Sequence, residues 1–116
     1  MYAIGNIIYG LPLHDPIGSD DVEYSDELEE AIEWEQEGFQ RFYSGNGSQS
    51  PMAFGVMLDE FNECSTHIDV SKLKLEPSPF VLKEYNELWN NLTDELKTEL
   101  TEKFGSPRTF ILWSTS

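Results

Sequence analysis

The chain has 116 residues and a formal net charge of −15, from 22 acidic and seven basic side chains. A charge of this size repels polyanions, so binding to nucleic acid or to an anionic membrane is disfavoured. The hydrophobic content of 39% exceeds that of a disordered acidic tail and predicts one packed domain over residues 1–116. Cys64 is the only cysteine and no apolar run approaches the length of a membrane span, so we expect a cytoplasmic protein.

The first elements in chain order are a strand and a helix. Residues 2–9 are rich in isoleucine and tyrosine, which predicts a buried strand, and the prolines and glycine of residues 11–21 predict a loop. Ser25 is a suitable N-cap for a helix over about residues 26–37, and Gly38 is a suitable C-cap. The apolar residues of this helix recur at helical spacing: Leu28, Ala31 and Ile32.

The middle of the chain is rich in strand-forming residues. We predict a short strand within residues 39–43, a loop over residues 44–51 and a strand over residues 52–61. Gly55 lies inside the last of these, which indicates a β-bulge or a close approach of two backbones. Residues 66–76 are predicted to hold one or two further strands.

A second helical region follows, and its start and end signals are strong. Ser78 precedes Pro79 and can cap a helix, while Thr93 can start a second helix that ends at Gly105. Residues 108–116 are predicted to form a final buried strand. The large apolar residues of the helical region recur at spacings of three and four: Leu82, Tyr85, Trp89, Leu92 and Leu96.

These elements predict an α+β fold in a single compact domain. We expect a mostly antiparallel sheet of about four strands, with two or three helices packed against one face. The apolar stripe that begins at Leu82 is expected to lie in the core or in a homodimer seam, so a homodimer is one option.

The charge is concentrated in residues 19–39, which contain ten acidic side chains and no basic one. On a helical wheel Asp26, Glu30, Glu33 and Glu37 fall within about 60° of one another. Trp34 lies roughly 120° from the apolar stripe, at the margin of this acidic row. Four more acids of the segment either precede the helix or flank the row: Asp20, Asp21, Glu23 and Glu29.

A rigid row of carboxylates resembles a stretch of phosphate backbone and can compete for a basic groove that binds DNA. In size and charge the chain resembles DNA-mimic inhibitors, many of which are small phage proteins with anti-restriction or anti-CRISPR activity. We therefore predict a non-enzymatic, phage-encoded inhibitor that acts in the host cytoplasm on a basic nucleic-acid-handling protein. The predicted partner-binding residues are Asp20, Asp21, Glu23, Asp26, Glu29, Glu30, Glu33, Trp34 and Glu37.

Several alternatives stay open. The acids can serve solubility alone, and Trp34 can cover the sheet edge. Residues 42–54, together with nearby aromatic side chains, can form a site that binds or sequesters a small ligand such as a nucleotide. A small enzyme that uses His14 or His67 is the third alternative. Cys64 and His67 have a spacing found in zinc sites, but the second half of such a site is missing, so we predict no metal site. We also predict no catalytic residue and no cofactor.

Overall fold

The computed structural model describes residues 3–13, 24–42, 52–62 and 73–115. In these residues the chain forms four strands and three helices, in a compact α+β arrangement that confirms the predicted fold class. The elements in chain order are β1 (Ala3–Pro12), α1 (Asp26–Glu33), β2 (Phe39–Arg41), β3 (Met52–Asn62), α2 (Pro79–Asn90), α3 (Asp94–Phe104) and β4 (Arg108–Thr115).

The four strands form one antiparallel sheet in the order β2-β3-β1-β4. β1 pairs with β3 on one side and with β4 on the other, so it occupies an interior position. An interior strand is shielded along both edges, and Ile7 and Ile8 at its centre are fully buried. β4 has a described neighbour on one side only, which places it at an edge of the described sheet.

The side chains of the sheet alternate between two faces. Leu11 of β1 and Phe54 of β3 belong to the main core, together with the inner sides of the three helices. Ile8 points the opposite way and forms a second, smaller cluster with Ala53 and Leu112. The helices therefore pack against one face, as the sequence predicted. Their buried contributions are Leu28, Ala31, Ile32, Tyr85, Leu92, Leu96, Leu100 and Phe104.

Two glycines let β1 and β3 approach closely. Gly10 is paired with Gly55, and a Cβ atom at Gly10 would lie 2.0 Å from the carbonyl oxygen of Phe54. This confirms a close approach at Gly55 as one of the two predicted reasons for that glycine. The bulge lies elsewhere: Ile7 pairs with Asp59 and Ile8 with Met57, so the residue between these two partners is the additional one of β3.

All three helices begin at the predicted caps. The hydroxyls of Ser25, Ser78 and Thr93 each accept a hydrogen bond from the backbone N–H three residues later, over 3.2 Å. Each cap satisfies one of the N–H groups that a helix start leaves without a partner. Thr93 thus separates α2 from α3. α3 ends at Phe104, and its C-cap Gly105 has a positive φ of 83°.

The end of α1 differs from the prediction. The helix ends at Glu33, with Trp34 as its C-cap, and does not continue to residue 37. The N–H of Gln36 donates to the carbonyl of Ala31 and that of Glu35 to Ile32, which is the Schellman pattern of a helix end. Glu35 takes the left-handed position of this motif, with a φ of 48°. The turn therefore forms before Gly38, the residue from which the later helix end is predicted.

The strands also differ from the prediction in three ways: where β1 ends, whether residues 66–76 form a strand, and how deeply β4 is buried. β1 continues to Pro12, so the loop predicted from residue 11 begins later. A strand is also predicted within residues 66–76. Residues 73–76 are described and are not in a strand, whereas residues 66–72 lie outside the described ranges. The sequence predicts a buried β4, but Ile111 and Trp113 are 44% and 49% exposed because β4 lies at the edge.

The helical apolar stripe is mostly buried, with one exception. Tyr85, Leu92 and Leu96 belong to the main core and Trp89 packs against it. Leu82 is exposed, because it lies in the first turn of α2, before the helix reaches the core. Among the described residues, no helix combines the length and the apolar character that crossing a membrane requires.

Candidate partner-binding surface

α1 exposes all of its acidic side chains. Its eight residues have one narrow buried stripe, Leu28, Ala31 and Ile32, because apolar residues occur only at these helical positions. The other five residues of the helix are acidic and exposed: Asp26, Glu27, Glu29, Glu30 and Glu33. The helix thus holds a row of carboxylates on a rigid element whose inner side is fixed in the core.

The predicted acidic row is only partly helical. Asp26, Glu30 and Glu33 lie on α1, whereas Glu37 follows the Schellman turn and is exposed there. The helical spacing therefore does not extend to Glu37, although its charge remains close along the chain. The other three predicted acids, Asp20, Asp21 and Glu23, lie outside the described residues.

α3 adds acidic side chains that the sequence pattern did not predict for this surface. The backbone N–H of Ser25 donates to the carboxylate of Glu99 over 2.8 Å, and the Ser25 hydroxyl donates to the same group. These contacts fix the start of α1 against α3. Burial opposes ionisation of Glu99, but hydrogen bonds from Lys103 and Ser25 outweigh it and lower the pKa of Glu99. Glu99 therefore links the start of α1 to α3.

Glu27 and Glu95 meet where the two helices face each other. A side-chain hydrogen bond with Glu95, followed by the negative charge of Glu95, raises the pKa of Glu27. Glu99 and Glu30 raise it further. Two carboxylates in this arrangement repel each other unless a proton or a cation lies between them. The contact joins the acids of α1 and α3 into one negative surface.

A shallow groove lies between these helices, and Trp34 forms one side of it. The lining residues are Glu27, Glu30, Ala31, Trp34, Gln36, Thr93 and Leu96. We call this the acidic groove. Trp34 is 76% exposed, so its ring is open to a partner and does not cover the sheet. Among the described residues that line the groove there is no lysine or arginine.

The chemistry of the acidic groove suits the side chain of an arginine or a lysine. Ala31 and Leu96 are buried apolar residues, against which an aliphatic stem can pack. Glu27 and Glu30 provide carboxylates for the charged end. The open ring of Trp34 can take a guanidinium over its face, a favourable cation–π contact.

The other predicted sites gain no support from the described residues. His14, Cys64 and His67 lie outside them, as does the loop over residues 44–51. Phe39 and Phe54 are buried in the main core with their rings 5.0 Å apart, whereas aromatic residues of the other face pack against the second cluster. The aromatic side chains near the loop are therefore divided between two clusters. Within the described ranges, no three His, Cys, Asp or Glu residues are grouped as metal ligands.

Comparisons of the chain with protein-family models, with curated proteins and with solved structures found no significant match.

Proposed function

We propose that the protein is a non-enzymatic inhibitor that binds a basic surface of a nucleic-acid-handling protein through α1 and the acidic groove. The observation that carries the proposal is an exposed tryptophan beside a continuous set of carboxylates with no basic residue among the groove lining. Surfaces that only provide solubility do not require a large exposed aromatic side chain, whereas tryptophan is enriched in binding hot spots.

The physical basis is competition with the phosphate backbone. A protein that binds nucleic acid gains affinity because lysines and arginines release counterions when they neutralise phosphates. On one face of α1, the Cβ atoms of acids three or four positions apart in the sequence are about 5–6 Å from each other, so their carboxylates can engage several such side chains at once. The charge of −15 also steers the chain towards a positive partner and away from nucleic acid.

The proposed class of partner is a host nuclease, restriction enzyme or CRISPR effector. An inhibitor of such a protein is expected to be phage-encoded and to act in the host cytoplasm. Both expectations follow from the class of partner.

The main competing interpretation is that the acids provide solubility alone. The two interpretations differ in whether charge reversal on α1 abolishes a specific interaction.

The test reverses two charges of α1 and compares them with a matched reversal elsewhere. The variant Glu30→Lys/Glu33→Lys changes the helix face, and Glu76→Lys/Glu84→Lys changes the net charge equally at exposed positions outside α1. Each protein is immobilised, exposed to host lysate at low salt and eluted with a salt gradient. We expect the wild type and the control variant to retain a nucleic-acid-binding protein that elutes at moderate salt and is displaced by duplex DNA.

The α1 variant is expected to retain none of that protein while keeping the wild-type circular dichroism spectrum. Equal retention by the α1 variant, or retention that duplex DNA does not reduce, contradicts the proposal. Retention that is lost equally in both variants indicates attraction by net charge alone and contradicts it as well.

A further inference from the structure

Three described strands of this acidic molecule contain no acid: β1 inside the sheet, and β2 and β4 at the two edges of the described sheet. Residues 108–115 contain no aspartate or glutamate, and Arg108 is their only charged residue. Two copies of a chain with a net charge of −15 repel each other in most orientations. The repulsion is smallest where acid-free segments meet. Of the two acid-free edges, β4 has eight residues and β2 only three, so β4 offers two copies the longer segment on which to approach.

Within the part of the chain that the structure describes, β4 also has the form of an unprotected edge. Among the described strands, only β1 pairs with it, so one side of its backbone faces away from the described sheet. Natural edge strands are commonly blocked by proline, lysine or a bulge. Residues 108–115 contain neither proline nor lysine, and the register of β4 with β1 is continuous from Arg108 to Thr115. Strong strand formers, such as Ile111 and Trp113, dominate the segment.

An exposed apolar patch lies beside this edge, on the face that carries the helices. Ile111 pairs with Ile7, and Trp113 pairs with Gly5, which also pairs with Phe61 of β3. Because Gly5 has no side chain, the ring of Phe61 lies over it, and a Cβ atom there would be 2.4 Å from that ring. Phe61 therefore reaches Trp113 across β1 in an edge-to-face contact, with ring centroids 5.3 Å apart. The helices leave Ile111 and Trp113 about half exposed.

We propose that β4 is the interface of a homodimer, in which two copies of the edge pair antiparallel about a twofold axis. Antiparallel pairing of one strand with itself is compatible with that symmetry and joins the two sheets. With Leu112 on the axis, Ile111 of one copy lies opposite Trp113 of the other. This register places the exposed apolar side chains of the two copies against each other, and each Trp113 keeps its contact with Phe61.

A second copy fits this edge better than an unrelated basic partner does. A basic partner would be attracted to the acids of α1 and α3, whereas β4 offers it no carboxylate. The dimer also has the opposite dependence on salt. Added salt screens the repulsion between two chains of like charge and strengthens the dimer, while it weakens the proposed inhibitory binding. The two proposals can therefore fail independently.

The test measures the oligomeric state of the whole chain by sedimentation over a concentration series at low and high salt. We expect a monomer–dimer equilibrium for the wild type, stronger at high salt. Ile111→Glu places a carboxylate at the centre of the interface and is expected to weaken dimerisation by more than about tenfold. The matched control is Phe80→Glu, which alters another exposed aromatic residue, on α2, and should leave the dimer unchanged. Trp113→Glu serves as a second interface variant if Ile111→Glu does not fold.

Hydrogen exchange tests the mode of pairing. We expect amide protection at alternate residues of β4 to rise with protein concentration in the wild type and not in the interface variant. A wild type that stays monomeric at all concentrations overturns the proposal. A dimer that persists in the folded interface variant, or that forms without added protection in β4, overturns it as well.

Discussion

Glu35 shows how one residue sets the end of α1. It occupies the left-handed position of the Schellman motif, with a φ of 48°, where glycine is the usual residue. A side chain in this conformation is strained because Cβ approaches the following carbonyl oxygen. The strained turn ends the helix at Glu33 and leaves Trp34 exposed as the C-cap residue. The residue that distorts the backbone thus lies next to the residue that we expect to contact the partner.

Replacing Glu35 with glycine is therefore expected to stabilise the protein. Relief of the left-handed strain outweighs the greater backbone freedom of glycine in the unfolded chain, for a net gain of about 0.5–1 kcal/mol in the free energy of unfolding. The measurement is urea denaturation of the wild type, Glu35→Gly and Glu35→Gln. The glutamine variant removes the same charge but keeps the side chain, so it should change stability by only a few tenths of a kcal/mol. Equal gains in both variants would assign the effect to charge and contradict the backbone explanation.

At the scale of elements, the packing of α1 against α3 brings like charges together. Ser25 and Glu99 hold the two helices in contact, and this contact places Glu27 beside Glu95. The raised pKa of Glu27 means that the folded protein binds a proton there more tightly than the unfolded chain does. The Glu27–Glu95 contact therefore favours folding most in acid. This contribution to the free energy of unfolding is lost as the pH rises through the pKa of Glu27 in the folded protein.

This linkage predicts a pH-dependent effect of Glu27→Gln. At a pH well below the ordinary glutamate value of 4.5, Glu27 is protonated in both states, and the variant and wild type should be about equally stable. Once the pH exceeds the raised folded pKa, the variant should be more stable, because an uncharged amide can still donate a hydrogen bond to Glu95. Urea midpoints over this pH range provide the measurement, and Glu87→Gln on α2 is the control for loss of one charge. A stability difference that does not change with pH would contradict the prediction.

For the whole molecule, the two proposed surfaces follow from an uneven distribution of charge. Residues 1–40 carry eleven acids and no base, whereas residues 108–115 carry one base and no acid. The fold places the acids of α1 beside those of α3 and places β4 at an edge of the described sheet. We therefore propose one part of the molecule for a basic partner and another for a second copy.

The net charge of −15 also predicts a salt effect on folding. Self-repulsion destabilises the compact state, so the melting temperature should rise when sodium chloride is raised from about 0.01 M to 0.15 M, where the screening length falls from about 30 to 8 Å. Glu76→Lys/Glu84→Lys lowers the net charge from −15 to −11, because each replacement adds two positive charges, and should show a smaller rise. Calorimetry at a low, constant protein concentration separates this effect from dimerisation. An equal rise in both proteins would show that self-repulsion is not its cause.

Local signals in the sequence were sufficient for the helix starts, for the positions of the four described strands and for the fold class. A cap such as Ser25, Ser78 or Thr93 acts on an N–H group three residues away, so its effect can be inferred from the neighbouring residues. The exposure of the acids on α1 followed in the same way from the position of Leu28 and Ile32. Gly38 gave a wrong prediction of the end of α1, because the hydrogen bonds that close the helix are made by the backbone N–H groups of Glu35 and Gln36, before Gly38 in the chain.

Which distant residues meet depends on how the helices and strands pack together. The contact of Glu27 with Glu95 depends on how α1 packs against α3, and no pattern within either helix encodes it. The edge position of β4 depends on strand order, which is set by pairing between residues at opposite ends of the chain, such as Ala3 and Thr115. The positions of charge and apolar surface along each element could thus be inferred from the sequence, because those patterns are local. The acidic groove and the edge position of β4 in the described sheet result from long-range packing, because contacts between elements are made only in the folded chain.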